Sequence, residues 1–175
     1  MQEHWITISD IPAHGRDFVF DDQALWREGW EAFALRVKPG SDLVAVYTVL
    51  PQDGGALVRG TLKGSVFVPC DRCAASFEYG IDTSYDLFEQ LPDGEGEGDE
   101  VEEPRVREHG GELQLDMGAL LWEEFALALP VKPLCDESCQ GVCPGCGVDR
   151  NAEPCACADD EGDERLAVFR TLKIK

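Results

Sequence analysis

The sequence predicts an α+β protein: a mostly antiparallel sheet, or a partly closed barrel, with two or three helices and a small cysteine-rich module towards the C-terminal end. Three observations carry this. Between residues 56 and 88 apolar side chains recur at every second position, the period of a strand with one buried face. Residues 116–128 instead place apolar groups at helical spacing. Six of the eight cysteines then fall within residues 135–157.

The elements follow in order. Residues 5–8 read as a short strand, followed by a polar, turn-rich stretch. Residues 22–29 suit a short helix opened by Asp21 or Asp22. Residues 31–38 alternate, with Phe33, Leu35 and Val37 on one face, and predict a strand. Residues 43–50 are almost continuously apolar and predict another. Residues 56–69 set Val58, Leu62, Val66 and Val68 on one side and Arg59, Thr61, Lys63 and Ser65 on the other. Gly54-Gly55 predicts the hairpin turn between these two. Residues 77–88 alternate again, with Phe77, Tyr79, Ile81 and Thr83 on one face. Leu113 and Leu115 mark a short strand. Asp116 is placed to cap a helix through about Ala128, with Met117, Leu120, Leu121, Phe125 and Ala128 as its apolar stripe. Pro130 and Pro133 stop it. Glu123 and Glu124 are read as its solvated face.

Three parts are expected. Residues 1–134 form an α+β core, with an acidic flexible loop at 93–110 whose segment 93–103 carries seven acids and three glycines. Residues 135–160 form the cysteine-rich module. Residues 161–175 form a C-terminal helix that docks on the core through Leu166, Phe169 and Leu172.

The cysteine spacing from 135 to 157 is C-x3-C-x3-C-x2-C-x8-C-x-C. Two thiolates three positions apart on a tight turn face one ion, and in an extended segment positions i and i+2 share a side. Cys143, Cys146, Cys155 and Cys157 are therefore the first candidate ligand set, and four thiolates suit Zn²⁺. Cys135 and Cys139 either replace members of that set or build a second site with Cys70 and Cys73. A disulfide framework needs an oxidising compartment. The opening Met1-Gln2-Glu3-His4-Trp5 lacks the basic start and apolar run of a signal peptide, so a cytoplasmic chain with reduced thiols is expected. A redox role for Cys70-Asp71-Arg72-Cys73 needs a helix N-terminus, whereas strand-like residues flank it. His4, His14 and His109 stand far from any cysteine and are read as surface residues. No phosphate loop, nucleophile elbow or Ser/His/Asp set is found, so no catalytic residue and no small-molecule substrate is predicted. No apolar stretch approaches the roughly 18 residues that span a membrane.

The net charge is −20, from 35 acidic and 15 basic residues. Such a chain repels phosphate backbones and attracts basic proteins. Direct nucleic-acid binding through the module would need a basic face, either among Arg36, Lys38, Arg59, Lys63 and Arg72 or at the tail Arg165, Arg170, Lys173 and Lys175.

Several of these residues, taken together, resemble the YceD family, the large ribosomal RNA subunit accumulation proteins. The pieces are Val68-Pro69-Cys70-Asp71-Arg72-Cys73, Leu127-Ala128-Leu129-Pro130, then Cys139-Gln140-Gly141-Val142-Cys143-Pro144-Gly145-Cys146-Gly147 with Asn151 and Cys155-Ala156-Cys157, and the closing Asp163-Glu164-Arg165-Leu166-Ala167. Ala74 and Glu164 stand where the family usually has Leu and Pro. The resemblance implies a non-enzymatic factor in biogenesis of the large ribosomal subunit. The acidic charge adds the expectation that it works through a basic ribosomal protein or a pre-ribosomal particle. The rivals are a zinc-ribbon nucleic-acid binder and, further off, a thiol or metal enzyme.

Overall fold

The structure is a computed structural model that describes residues 4–90 and 105–157. In chain order it contains β1 (Trp5–Thr7), a 3₁₀ turn (Ile8–Asp10), β2 (Arg16–Phe20), α1 (Gln23–Ala32), β3 (Lys38–Pro39), β4 (Val44–Gln52), β5 (Gly55–Pro69), β6 (Ser76–Gln90), β7 (Val106–His109), β8 (Glu112–Asp116) and α2 (Met117–Ala128).

β5 is the spine. It pairs with β6 along its whole length, from Gly55↔Gln90 to Pro69↔Ser76. Its other edge takes β4 as far as Lys63 and then β3 at Val66 and Phe67. β2 adds outside β4. A second sheet runs in the order β1-β8-β7, and every pairing is antiparallel. The α+β class is as predicted, but the barrel alternative does not form: among the described residues β2 pairs only with β4 and β6 only with β5, so the sheets stay open.

Alternation explains the sheet's two faces. Ala56, Val58, Leu62 and Val66 are fully buried, while Arg59 and Lys63 face outward and pair with Asp86 and Asp82 across the ladder. These exposed pairs fix register more than stability, being worth about 1 kcal/mol or less each. Ser65 departs from the outward reading and is buried. Its hydroxyl accepts from the Ser41 backbone N–H at 2.7 Å and donates to Glu78 at 2.6 Å. The hairpin turn sits one residue earlier than predicted, at Asp53-Gly54, where Gly54 has φ +80°.

Both helices begin at aspartate caps. Asp22 accepts from the Ala24 N–H at 2.8 Å and Asp116 from the Ala119 N–H at 3.2 Å. Between the helices and the sheet lies an aromatic core. The ring of Phe125 stands 5.5 Å from Trp26, 6.1 Å from Trp30 and 5.6 Å from Trp122. Gly29 lets α1 approach α2, since a Cβ there would lie 2.1 Å from the Trp122 ring.

Several expectations are corrected. α1 runs on to Ala32, and of the strand expected over 31–38 only the last residue, Lys38, is extended, as the start of β3. Leu25, Trp26, Gly29 and Trp30 bury at helical spacing, and that face outweighs the alternation of Phe33, Leu35 and Val37. β2 arises in the stretch read as turn-rich, with Phe18 and Phe20 towards the core. β7 occupies the end of the stretch read as an acidic loop over 93–110; the rest of that loop, to 104, lies outside the described residues, as does the expected helix at 161–175. Glu123 is exposed and pairs with Arg105, but Glu124 is buried. Burial, then the neighbouring Glu123, raises the Glu124 carboxyl above its usual range, with Arg105 opposing. His4 is half-buried with its ring edge against Phe20.

Candidate metal centres

The first centre is built at the tip of the β5–β6 hairpin. The turn from Cys70 closes with the Ala74 N–H on the Cys70 carbonyl and the Cys70 N–H on the Ala75 carbonyl, at 2.8 and 2.9 Å. Cys70 and Cys73 are buried there. After α2 the chain returns to the same turn, where the Asp71 N–H donates to the Pro133 carbonyl at 2.8 Å. Arg72 then clasps it. Its guanidinium donates to the carbonyls of Glu137 and Cys139, both at 2.9 Å, and its own carbonyl accepts from the Val142 N–H at 3.0 Å. This brings Cys139 Sγ to 3.8 Å from Cys70 Sγ and Cys135 Sγ to 3.6 Å from Cys73 Sγ.

The second centre is local. The Cys143 N–H donates to the Val148 carbonyl and the Gly147 N–H to the Cys143 carbonyl, both at 2.8 Å, making a tight knuckle with Gly147 at φ +74°. The chain then loops back through the x8 segment. Cys155 Sγ arrives 3.2 Å from Cys143 Sγ and 3.6 Å from Cys146 Sγ, and Cys157 completes the group.

In each tetrad the four sulfurs lie within 4.8 Å of one another and could hold a metal ion. The separations are too long for disulfides, whose sulfurs are about 2.05 Å apart. They suit a tetrahedron: metal–sulfur bonds of about 2.3 Å set sulfurs roughly 3.8 Å apart. The sulfur chemistry points the same way. Burial opposes ionisation of Cys70, yet backbone N–H groups of Cys135, Cys73 and Arg72 bring its thiol down to about 6. Desolvation and the crowding sulfurs of Cys139, Cys73 and Cys70 push Cys135 up to about 12. In the second tetrad the Cys146 N–H, the Cys155 thiol and the Gly145 N–H bring Cys143 down to about 6, while Cys155, Cys146 and Cys143 push Cys157 up to about 12. Four thiols at one point cannot all ionise without a cation to balance them.

All eight sequence-predicted cysteines are thus gathered. Cys135 and Cys139 join Cys70 and Cys73 rather than entering the set of Cys143, Cys146, Cys155 and Cys157. Two supporting residues were not anticipated. Arg72 is the clasp described above, and the amide of Asn151 donates to Cys139 Sγ at 3.3 Å. Their signal in the sequence was slight: an Arg inside C-x2-C, and an Asp-x-Asn turn at 149–151.

The chain is 29% identical over 100 residues to the uncharacterized protein Mb2951c of Mycobacterium bovis and, to the same extent, to the uncharacterized protein Rv2926c of Mycobacterium tuberculosis. The match takes in 57% of this chain and 47% of each relative, so the chain spans about half the length of the curated relatives it matches. No solved structure matches. The profile of the large ribosomal RNA subunit accumulation proteins matches residues 58–173, from near the start of β5 through both cysteine tetrads, and the chain belongs to that family, YceD.

Proposed function

We propose that this chain is a non-enzymatic, cytoplasmic factor that supports accumulation of large-subunit ribosomal RNA by holding a basic ribosomal protein or a pre-ribosomal particle, on a scaffold clamped by two Zn²⁺ ions. The family supports the coarse role. The two thiolate tetrads support the clamped scaffold: each offers four sulfurs to one ion, the ligand count of structural zinc rather than of catalytic zinc. When bound, Zn²⁺ supplies a fixed fourfold anchor. The chain's own residues do the remaining work, with Arg72 and the turn amides orienting the sulfurs. The net charge of −20 favours a basic protein over bare phosphate.

The test titrates the purified protein with large-subunit ribosomal proteins and separately with naked ribosomal RNA in about 0.15 M salt, where the Debye length is about 8 Å. Tight, salt-sensitive binding to a basic protein is expected. Submicromolar binding to naked RNA, with none to basic proteins, would instead establish the nucleic-acid-binding rival.

A further inference from the structure

We infer that Asn151 couples the two cysteine tetrads, so that closing the second tetrad around a metal ion delivers an N–H donor to a sulfur of the first and raises the affinity of that first site. The inference rests on the reading that both tetrads bind metal. Asn151 lies in the loop between Cys146 and Cys155, the loop that the second tetrad closes. Its side chain points out of that loop to the other site. Nδ2 donates to Cys139 Sγ at 3.3 Å, and Oδ1 accepts the Gln140 N–H at 2.7 Å, so one amide grips a ligand and the residue after it. The same amide is aimed by its own loop: Asp149 Oδ1 accepts from Asn151 Nδ2 at 2.7 Å and from the Asn151 N–H at 2.9 Å. The Arg150 N–H also reaches the Gly141 carbonyl at 2.9 Å, beside the segment that Arg72 clasps.

The second tetrad needs only residues 143–157, whereas the first joins cysteines 62 to 69 residues apart. The body already holds Cys70 and Cys73 at the hairpin tip, so what the first site still needs is the segment that the second tetrad braces. Filling the second tetrad fixes the loop and holds Asn151 in place. An N–H···S bond to a ligand sulfur is the kind of outer support whose loss lowers metal affinity by about 10–100-fold. Asn151 is therefore a positioning residue for the first site, although it lies within the loop of the second.

The experiment is a Co²⁺ titration of the full chain, followed by tetrahedral cobalt–thiolate absorbance and then by displacement with Zn²⁺. Wild type is expected to fill in two steps. Asn151→Ala and the shape-preserving Asn151→Leu should weaken the Cys70/Cys73/Cys135/Cys139 site about tenfold and shift its charge-transfer band, leaving the Cys143/Cys146/Cys155/Cys157 site within about twofold. Cys155→Ser with Cys157→Ser should weaken the Cys70/Cys73/Cys135/Cys139 site by a similar factor, and adding Asn151→Ala should then change it less than about twofold, because the coupling is already lost. Unchanged affinity of that site in Asn151→Ala and Asn151→Leu, equal losses at both sites, or a wild-type-like first tetrad in the Cys155→Ser, Cys157→Ser protein would each overturn the coupling. Absence of cobalt–thiolate bands in wild type is a different failure, that of the metal reading itself.

Discussion

The body of the protein and its cysteine module are held together by different physics. In the body, Trp26, Phe125, Leu62, Leu120, Leu121 and Val58 are wholly removed from water, in a cluster that both sheets and both helices share. Among the described residues the module has almost nothing of this kind. Its buried cluster among them is Cys70, Cys73 and Cys139, with Phe77 and Leu134 packed against these, and Val142 stands 44% exposed. The first region folds because apolar area leaves water. The second consists of turns and backbone hydrogen bonds around two sets of sulfurs, too little to offset the ordering of more than twenty residues. The lesson is that chain continuity does not divide the two. Cys70 and Cys73 sit at the tip of the body's longest hairpin, so the module's first anchor belongs to the sheet.

The sharpest way to break this comparison is to remove metal. With a strong chelator, amide protection in 135–157 is expected to collapse while β4, β5 and β6 keep theirs, as read by hydrogen exchange. Uniform loss along the chain would refute the contrast.

The converse insult is Phe125→Ala. It should cost about 3–5 kcal/mol in global stability while leaving metal stoichiometry unchanged, checked by denaturant melts and elemental analysis.

Gly141→Ala probes the joint between the regions. Gly141 has φ +71°, and a Cβ there would lie 2.8 Å from the Arg72 carbonyl oxygen. A loss of about 1–3 kcal/mol is expected, seen as faster metal release to a chelator with the melting of the body little altered. An unchanged release rate would show that the clasp at Arg72 is not a strained close approach.

The smallest effect belongs to Glu124. Its carboxyl is raised from an ordinary 4.5, first by burial and then by Glu123. A raised folded-state value means that the protonated group contributes stability below the unfolded value and loses that contribution as pH rises through the folded one. Glu124→Gln should therefore gain on wild type as pH rises from below the ordinary carboxylate range to neutrality, and the gain should level off once the carboxyl is ionised in both states. A stability difference independent of pH would mean that Glu124 is solvated after all.

Much of the body was legible because its side chains report their own surroundings. Period-two alternation in β5 and β6, the Asp116 cap and the stripe of α2 each depend on neighbours a few residues away, and each appears where predicted. Where two periods competed, at 31–38, tertiary contact decided: Trp30 and Gly29 found α2, and the helix kept residues that alternation had assigned to a strand. β2 and β7 escaped because four or five residues carry too few alternations to stand out from turn chemistry. The local tetrad of Cys143, Cys146, Cys155 and Cys157 could be grouped from spacing alone, since a knuckle and an i, i+2 pair are short-range geometry. The grouping of Cys135 and Cys139 with Cys70 and Cys73, the clasp of Arg72 and the reach of Asn151 to Cys139 could not. They join positions up to 69 residues apart, and only the register of the β5–β6 hairpin and the path of the chain after α2 bring them to one point.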